Sequence, residues 1–267
     1  MEGYSARELT FETDRLPAIS GIARKFQDIS DDIYMAGLWK KDLGAGLCWK
    51  VRGFGDLRRP PSYRAPSWSW ASLEGSITHS IPDGHKLSVK LLDFEITADE
   101  NNPLGEVVSG SIMLSGLIRK LRIAQGTVHV ENIEFDYVVN RSTNRLISDG
   151  KQQQRGLDHS YALRDQTDAT DPRGTGMCVI CFDLETPTGV EEVLLLQLLA
   201  EGFVPLPEGG DEKFVPHGLV LEKVVDDRNC YRRIGVYSVV DAEAPFIAPG
   251  TEHASLRGWT EREITII

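Results

Sequence analysis

The chain has 267 residues, 41% of them hydrophobic, which is enough to bury a substantial core in one large domain. Its formal net charge of −11 argues against nucleic acid or an anionic membrane as partner, since either would reward clustered Lys and Arg. The polar start MEGYSAREL has no signal-peptide pattern, and the longest apolar run, Val193 to Leu196 resuming at Leu198, is far short of the ~20 residues that cross a bilayer, so a soluble cytoplasmic protein is expected.

The first predicted element is a helix over "DRLPAISGIARKFQDI" (14–29), capped by Thr13 or Asp14, with Leu16, Ile19, Ala23 and Phe26 forming its apolar stripe. Pro17 suits the first turn, and Gly21 weakens the middle, so packing has to hold the helix. Beyond it the period changes to two. Strands are predicted at 86–97, 109–123, 132–140, 176–185, 192–201, 217–225 and 232–240, all rich in β-branched and aromatic residues and separated by Gly, Pro, Asn and Asp. The segment "EVLLLQLLAE" (192–201) is equally compatible with a helix, because a short apolar run carries no decisive period. These elements predict a mainly β fold, all-β or α+β, as an antiparallel barrel or sandwich with one N-terminal helix. Residues 140–176 are polar and aperiodic and are read as an insertion within a single domain spanning 1–267. No internal repeat of constant period is present.

Motifs that would specify chemistry are missing from the sequence. No G-x-S-x-G elbow, phosphate-binding loop, G-x-G-x-x-G turn or H-E-x-x-H pattern occurs, so no metal and no cofactor is expected. Cys178 and Cys181 form a C-x-x-C, but inside a strand-like run they face opposite sides, which suits neither a zinc knuckle nor a redox turn. The four cysteines are expected as free thiols. Of Arg232 and Arg233, alternation sends one inward, where Glu222 or Asp241 is the expected partner.

The aromatic stretch "RAPSWSWASLEG" (64–75) stands out. Read as a strand it projects Trp68 and Trp70 from one face, and with Trp39 and Trp49 they form either a core plug or the wall of a pocket for an apolar small molecule. In the pocket reading Tyr63 or Arg64 is the hydrogen-bond donor that polarises a substrate carbonyl.

Taken in order, "DRLPAISGIARKF", "DIYMAGLWKKDL", "LCWKV", "RRPPSYRAPSWSWASLEG" and the closing "HGLVLEKV", "YRRIGVYSV" and "REITII" resemble the region that follows the HET domain in fungal heterokaryon-incompatibility proteins. The resemblance covers both ends and leaves a divergent middle, about 76 to 175. The chain begins just ahead of the resembling region, so the HET domain itself is not expected in it. Two functions follow. One is a cofactor-free enzyme of fungal secondary metabolism that isomerises or cyclises a substrate, Diels–Alder fashion, by folding it in the aromatic pocket. The alternative is a non-enzymatic regulatory module that acts with a separate HET-domain protein.

Overall fold

The computed structural model describes residues 2–7, 9–51, 58–79, 86–122, 160–164, 177–184, 192–200, 216–224, 229–239 and 259–267. An N-terminal layer of short elements lies against a large mixed sheet, and the whole is mostly β.

In the N-terminal layer, a one-turn helix α1 (Glu2–Ser5) precedes two 3₁₀ turns, Glu12–Arg15 and Pro17–Ile19, and then helix α2 (Ser20–Ser30). The helix predicted from residue 14 therefore starts later. Pro17 has no N–H to offer the carbonyl four residues back, and the chain makes i→i+3 bonds instead, Ile19 N–H to Leu16 O and Ser20 N–H to Pro17 O. At the far end Asp31 takes a left-handed conformation (φ 49°) and donates its N–H to Gln27 O, while Lys41 Nζ donates to the carbonyls of Ser30 and Asp31.

The hairpin β1 (Tyr34–Met35) and β2 (Leu38–Trp39) turns through Ala36 (φ 46°) and Gly37 (φ 99°), the two positive φ values of a tight two-residue hairpin. Helix α3 (Leu43–Gly46) leads into β3 (Trp49–Val51), which pairs with β4 (Ile77–His79). Between those strands runs the loop that carries Trp68 and Trp70.

The large sheet holds β5 (Lys86–Leu87), β6 (Lys90–Ala98), β7 (Val107–Arg122), β8 (Ser160–Arg164), β9 (Met177–Phe182), β10 (Glu192–Ala200), β11 (Pro216–Lys223), β12 (Cys230–Val239) and β13 (Thr260–Ile266). Its pairings return on themselves, from β7 to β10, β11, β12, β13 and back to β7, with β6 on β7 and β9–β8 extending from β12. All these pairings are antiparallel except β12–β13, which is parallel and so departs from the purely antiparallel expectation. The mainly β class and six of the seven predicted strands are present, with 86–97 divided between β5 and β6; 132–140 lies outside the described residues. Part of the polar stretch 140–176 is also strand, since β8 pairs residue for residue with β9.

Segment 192–201 is a strand, and its burial explains why it carried no period. Leu194, Leu196 and Leu198 enter the core shared with the N-terminal layer, whereas Val193 and Leu195 enter a second cluster with Ile180, Phe182, Val220, Ile234 and Tyr237. A strand covered on both faces carries apolar residues on both, here from Val193 to Leu199 with the buried Gln197 as the one exception.

Candidate functional site

Of the six residues singled out from the sequence, three indoles lie fully inside. Trp49, Trp68 and Trp70 have 0% exposure and pack with Leu47, Ile77, Ile112 and Leu114 in the main core. Trp68 and Trp70 do not leave a common strand face. The backbone turns there: Ser69 N–H donates to Pro66 O, Ser69 Oγ accepts from Ala71 N–H, and Trp70–Ser72 is a 3₁₀ turn. Consequently the two rings diverge. Trp70 donates from Nε1 to Gly37 O (2.9 Å) and meets Tyr4 edge-on at 6.0 Å, whereas Trp68 lies beside Pro66 and Gly110 at the β6–β7 ladder. Close approach demands glycine at both contacts, because a Cβ on Gly37 would stand 2.6 Å from Trp70 Nε1 and one on Gly110 2.6 Å from Pro66 Cγ.

Trp49 donates from Nε1 to Trp68 O (2.9 Å), and its ring lies 3.3 Å beneath the guanidinium carbon of Arg233. Arg233 is the inward member of the Arg pair, as alternation requires, but its partner is Asp183, not Glu222. Nε and Nη2 of Arg233 reach the two carboxylate oxygens of Asp183 at 2.9 and 3.0 Å, and Nη1 donates to Leu47 O. Glu222 instead pairs with the outward Arg232 (2.7 Å), and Asp241 lies outside the described residues. Ser67 completes the join: its hydroxyl accepts Arg233 N–H and donates to the carbonyl of Ile267. The loop of indoles is thus bonded to β12 and to the residue after β13, which makes it the plug that fastens the N-terminal layer to the sheet.

Arg64 is equally committed. Its guanidinium donates to the carbonyls of Ala71 (2.7 Å), Leu73 (2.8 Å) and Glu12 (2.7 Å), and burial lowers its pKa below the ordinary arginine value. Those bonds close the 3₁₀ turn and tie it to the N-terminal segment. Tyr63 is 55% exposed; partial burial raises its phenol pKa, with the Gly110 backbone working the other way. Tyr63 and Arg64 therefore face different surroundings and do not converge on one acceptor.

Of the four indoles singled out from the sequence, Trp39 is the one that reaches the surface. It is half-buried, packed 4.7 Å from the Phe26 ring and 5.2 Å from Tyr34. This contact leads to a feature that the choice of tryptophans missed. Helix α2 buries Ala23, yet Ile22, Phe26 and Ile29 are 73%, 50% and 85% exposed. Their i, i+4, i+7 spacing places them on one stripe, with Phe26 at the border where it rests on Trp39. Arg24, Lys25 and Asp28 are exposed around it.

No set of three or more His, Cys, Asp or Glu residues that could hold a metal ion occurs among the described residues, and no described helix is long and apolar enough to cross a membrane. Fold and surface together define a mostly β protein in which, among the described residues, Ile22, Phe26 and Ile29 form an exposed apolar stripe on α2. In comparisons with protein families, with curated proteins and with solved structures, nothing matches the chain.

Proposed function

We propose that this chain is a non-catalytic protein-interaction module whose contact face is the outward side of α2. The observation that carries the reading is the stripe Ile22, Phe26 and Ile29, backed by Trp39. Isolated apolar residues on a surface call for no explanation, but a contiguous stripe on a well-formed helix is the mark of a surface that is covered in use. The resemblance to the region downstream of a HET domain agrees with work done by contact. The cyclase reading needs the indoles on a wall that substrate can touch, and Trp49, Trp68 and Trp70 offer a guest no surface here.

A photo-crosslinking residue at position 29, compared with one at the exposed turn residue Asn101, tests the reading in cells. A covalent adduct at position 29 with a polypeptide identified by mass spectrometry, absent at position 101, is expected. Equal, background yields at both positions would count against it. Conversion of a conjugated polyene by the purified protein, lost in Trp68→Phe, would restore the cyclase.

A further inference from the structure

We infer that the outer edge of β6 is a further contact site, separate from the α2 face, and that it takes up an extended segment of a partner protein in which lysine or arginine alternates with aliphatic residues. The segment adds to the large sheet as one more antiparallel strand.

The backbone supplies the first argument. β6 pairs with β7 on one side, and among the described residues no strand pairs with it on the other. Asp99 N–H donates toward β7, to the carbonyl of Glu106, whereas Phe94 N–H turns to Asp93 Oδ1 (2.8 Å). Both observations give the same alternation: Glu95, Thr97 and Asp99 bond toward β7, and Phe94, Ile96 and Ala98 direct N–H and C=O outward. Asp93 closes one end of this row by accepting the Phe94 N–H, and the other end stops at the turn in which Asn102 N–H donates to Asp99 O. Between them, the carbonyl of Phe94 and the N–H and C=O of Ile96 and Ala98 have no protein partner among the described residues. Such a row is a template for strand addition.

Side chains then select the occupant. On one face of β6, Asp93, Glu95 and Thr97 are exposed, and neither carboxylate has an ion-pair partner among the described residues. On the other face Phe94 and Ile96 are partly buried against the main core, with Lys40 Nζ 5.2 Å above the Phe94 ring, so apolar surface continues to the edge beside Ile96. An antiparallel segment sets residues directly opposite those of β6. Those across from Asp93 and Glu95 fall at non-hydrogen-bonded positions, where Cα atoms approach to about 4.5 Å and side chains meet most closely, so basic side chains gain most there. Those across from Phe94, Ile96 and Ala98 make the hydrogen bonds and lay aliphatic side chains along the apolar face. A second β6 would instead oppose Glu95 to Glu95 or, one step along, Glu95 to Asp93, and an acidic segment fares no better. The net charge of −11 extends the preference for a cationic partner beyond contact range.

Fluorescence anisotropy of a labelled seven-residue peptide of alternating valine and lysine, titrated with the full chain up to about 1 mM, covers the weak affinity that so short an edge provides. Saturable binding is expected, and an alternating valine–glutamate peptide should show none. Two N-methylated forms test the edge itself. In the antiparallel arrangement the valines send their N–H groups to β6 and the lysines to solvent, so methylation of the valine nitrogens should lower affinity roughly tenfold or more, and methylation of the lysine nitrogens should leave it within about twofold. Glu95→Lys, at an exposed position, should weaken binding of the unmethylated valine–lysine peptide about fivefold while keeping the native circular dichroism spectrum. A chain that does not bind this peptide at 1 mM overturns the inference, as does binding indifferent to Glu95→Lys. Equal affinity for the two methylated peptides also overturns it, being the mark of bare charge attraction. Loss on lysine methylation alone keeps the edge and overturns the antiparallel arrangement, because a parallel strand bonds through the residues that face the carboxylates. Ile29→Lys should leave peptide affinity unchanged; a loss there would move the peptide to α2 and refute the β6 site without touching the interaction reading above.

Discussion

Removing Asp183 should unfold the join between the N-terminal layer and the sheet. Arg233 has 0% exposure and Asp183 only 3%, so neither charge has water to fall back on. In Asp183→Leu the guanidinium loses its two carboxylate contacts, at 2.9 and 3.0 Å, and keeps the Leu47 and Trp49 carbonyls and the Trp49 ring. Two charge-assisted bonds at about 1.5–3 kcal/mol each agree with the 3–5 kcal/mol that breaking a buried pair typically costs. In Arg233→Met the loss is of similar size, because the Asp183 carboxylate and the Leu47 and Trp49 carbonyls then lose the bonds from the guanidinium. The double variant removes both charges, so its cost should fall short of the sum of the singles by about 2–3 kcal/mol. Urea unfolding followed by tryptophan fluorescence measures all four corners of this cycle, and each single variant should also lower the melting temperature by roughly 10 °C. If Asp183→Leu costs under about 1 kcal/mol, or if the two single effects simply add, then the buried pair is not what holds the layers together.

Three further outcomes follow from the packing. Gly37→Ala should destabilise by about 2 kcal/mol or more in the same urea assay, since φ is 99° there and the new methyl would stand 2.6 Å from Trp70 Nε1. Among single Trp→Phe changes, Trp68→Phe should be the mildest: Trp49 and Trp70 each lose a 2.9 Å bond to a carbonyl, whereas Trp68 Nε1 has no partner to lose. Burial pushes the Cys48 thiol from 9.0 up to about 12, against the lowering effect of Arg233. The unfolded chain therefore releases this proton first, so the thiol's contribution is intact below about pH 9 and is lost as pH rises toward 12; at pH 11 Cys48→Ala should remove about 2–3 kcal/mol of the alkaline loss that the native chain shows, measured as the change in unfolding free energy between pH 8 and pH 11.

Strands were the most legible part of this chain because a sheet with one solvated face writes its period into the sequence. That period vanishes where both faces are covered, and the run from Val193 to Leu199 was ambiguous for that reason. The indole stretch misled for a different reason: alternating Trp and Ser mimics a strand, while the serines are there to bond backbone, Ser69 within its own turn and Ser67 across to β12. Such distant partners have no local signature. Alternation likewise announced that one of Arg232 and Arg233 would turn inward, but it did not say which, and the partner of Arg233 lies 50 positions away along the chain and could not be chosen over Glu222 or Asp241 without the register of β9 against β12. The α2 face, by contrast, was in plain view. Assigning Leu16, Ile19, Ala23 and Phe26 to one stripe leaves Ile22 and Ile29 unaccounted for, and with Phe26 they make a second stripe at helical spacing. Ile22 and Ile29, 73% and 85% exposed, are the part of that second stripe left outside the described core, and the interaction reading proposed above rests on them.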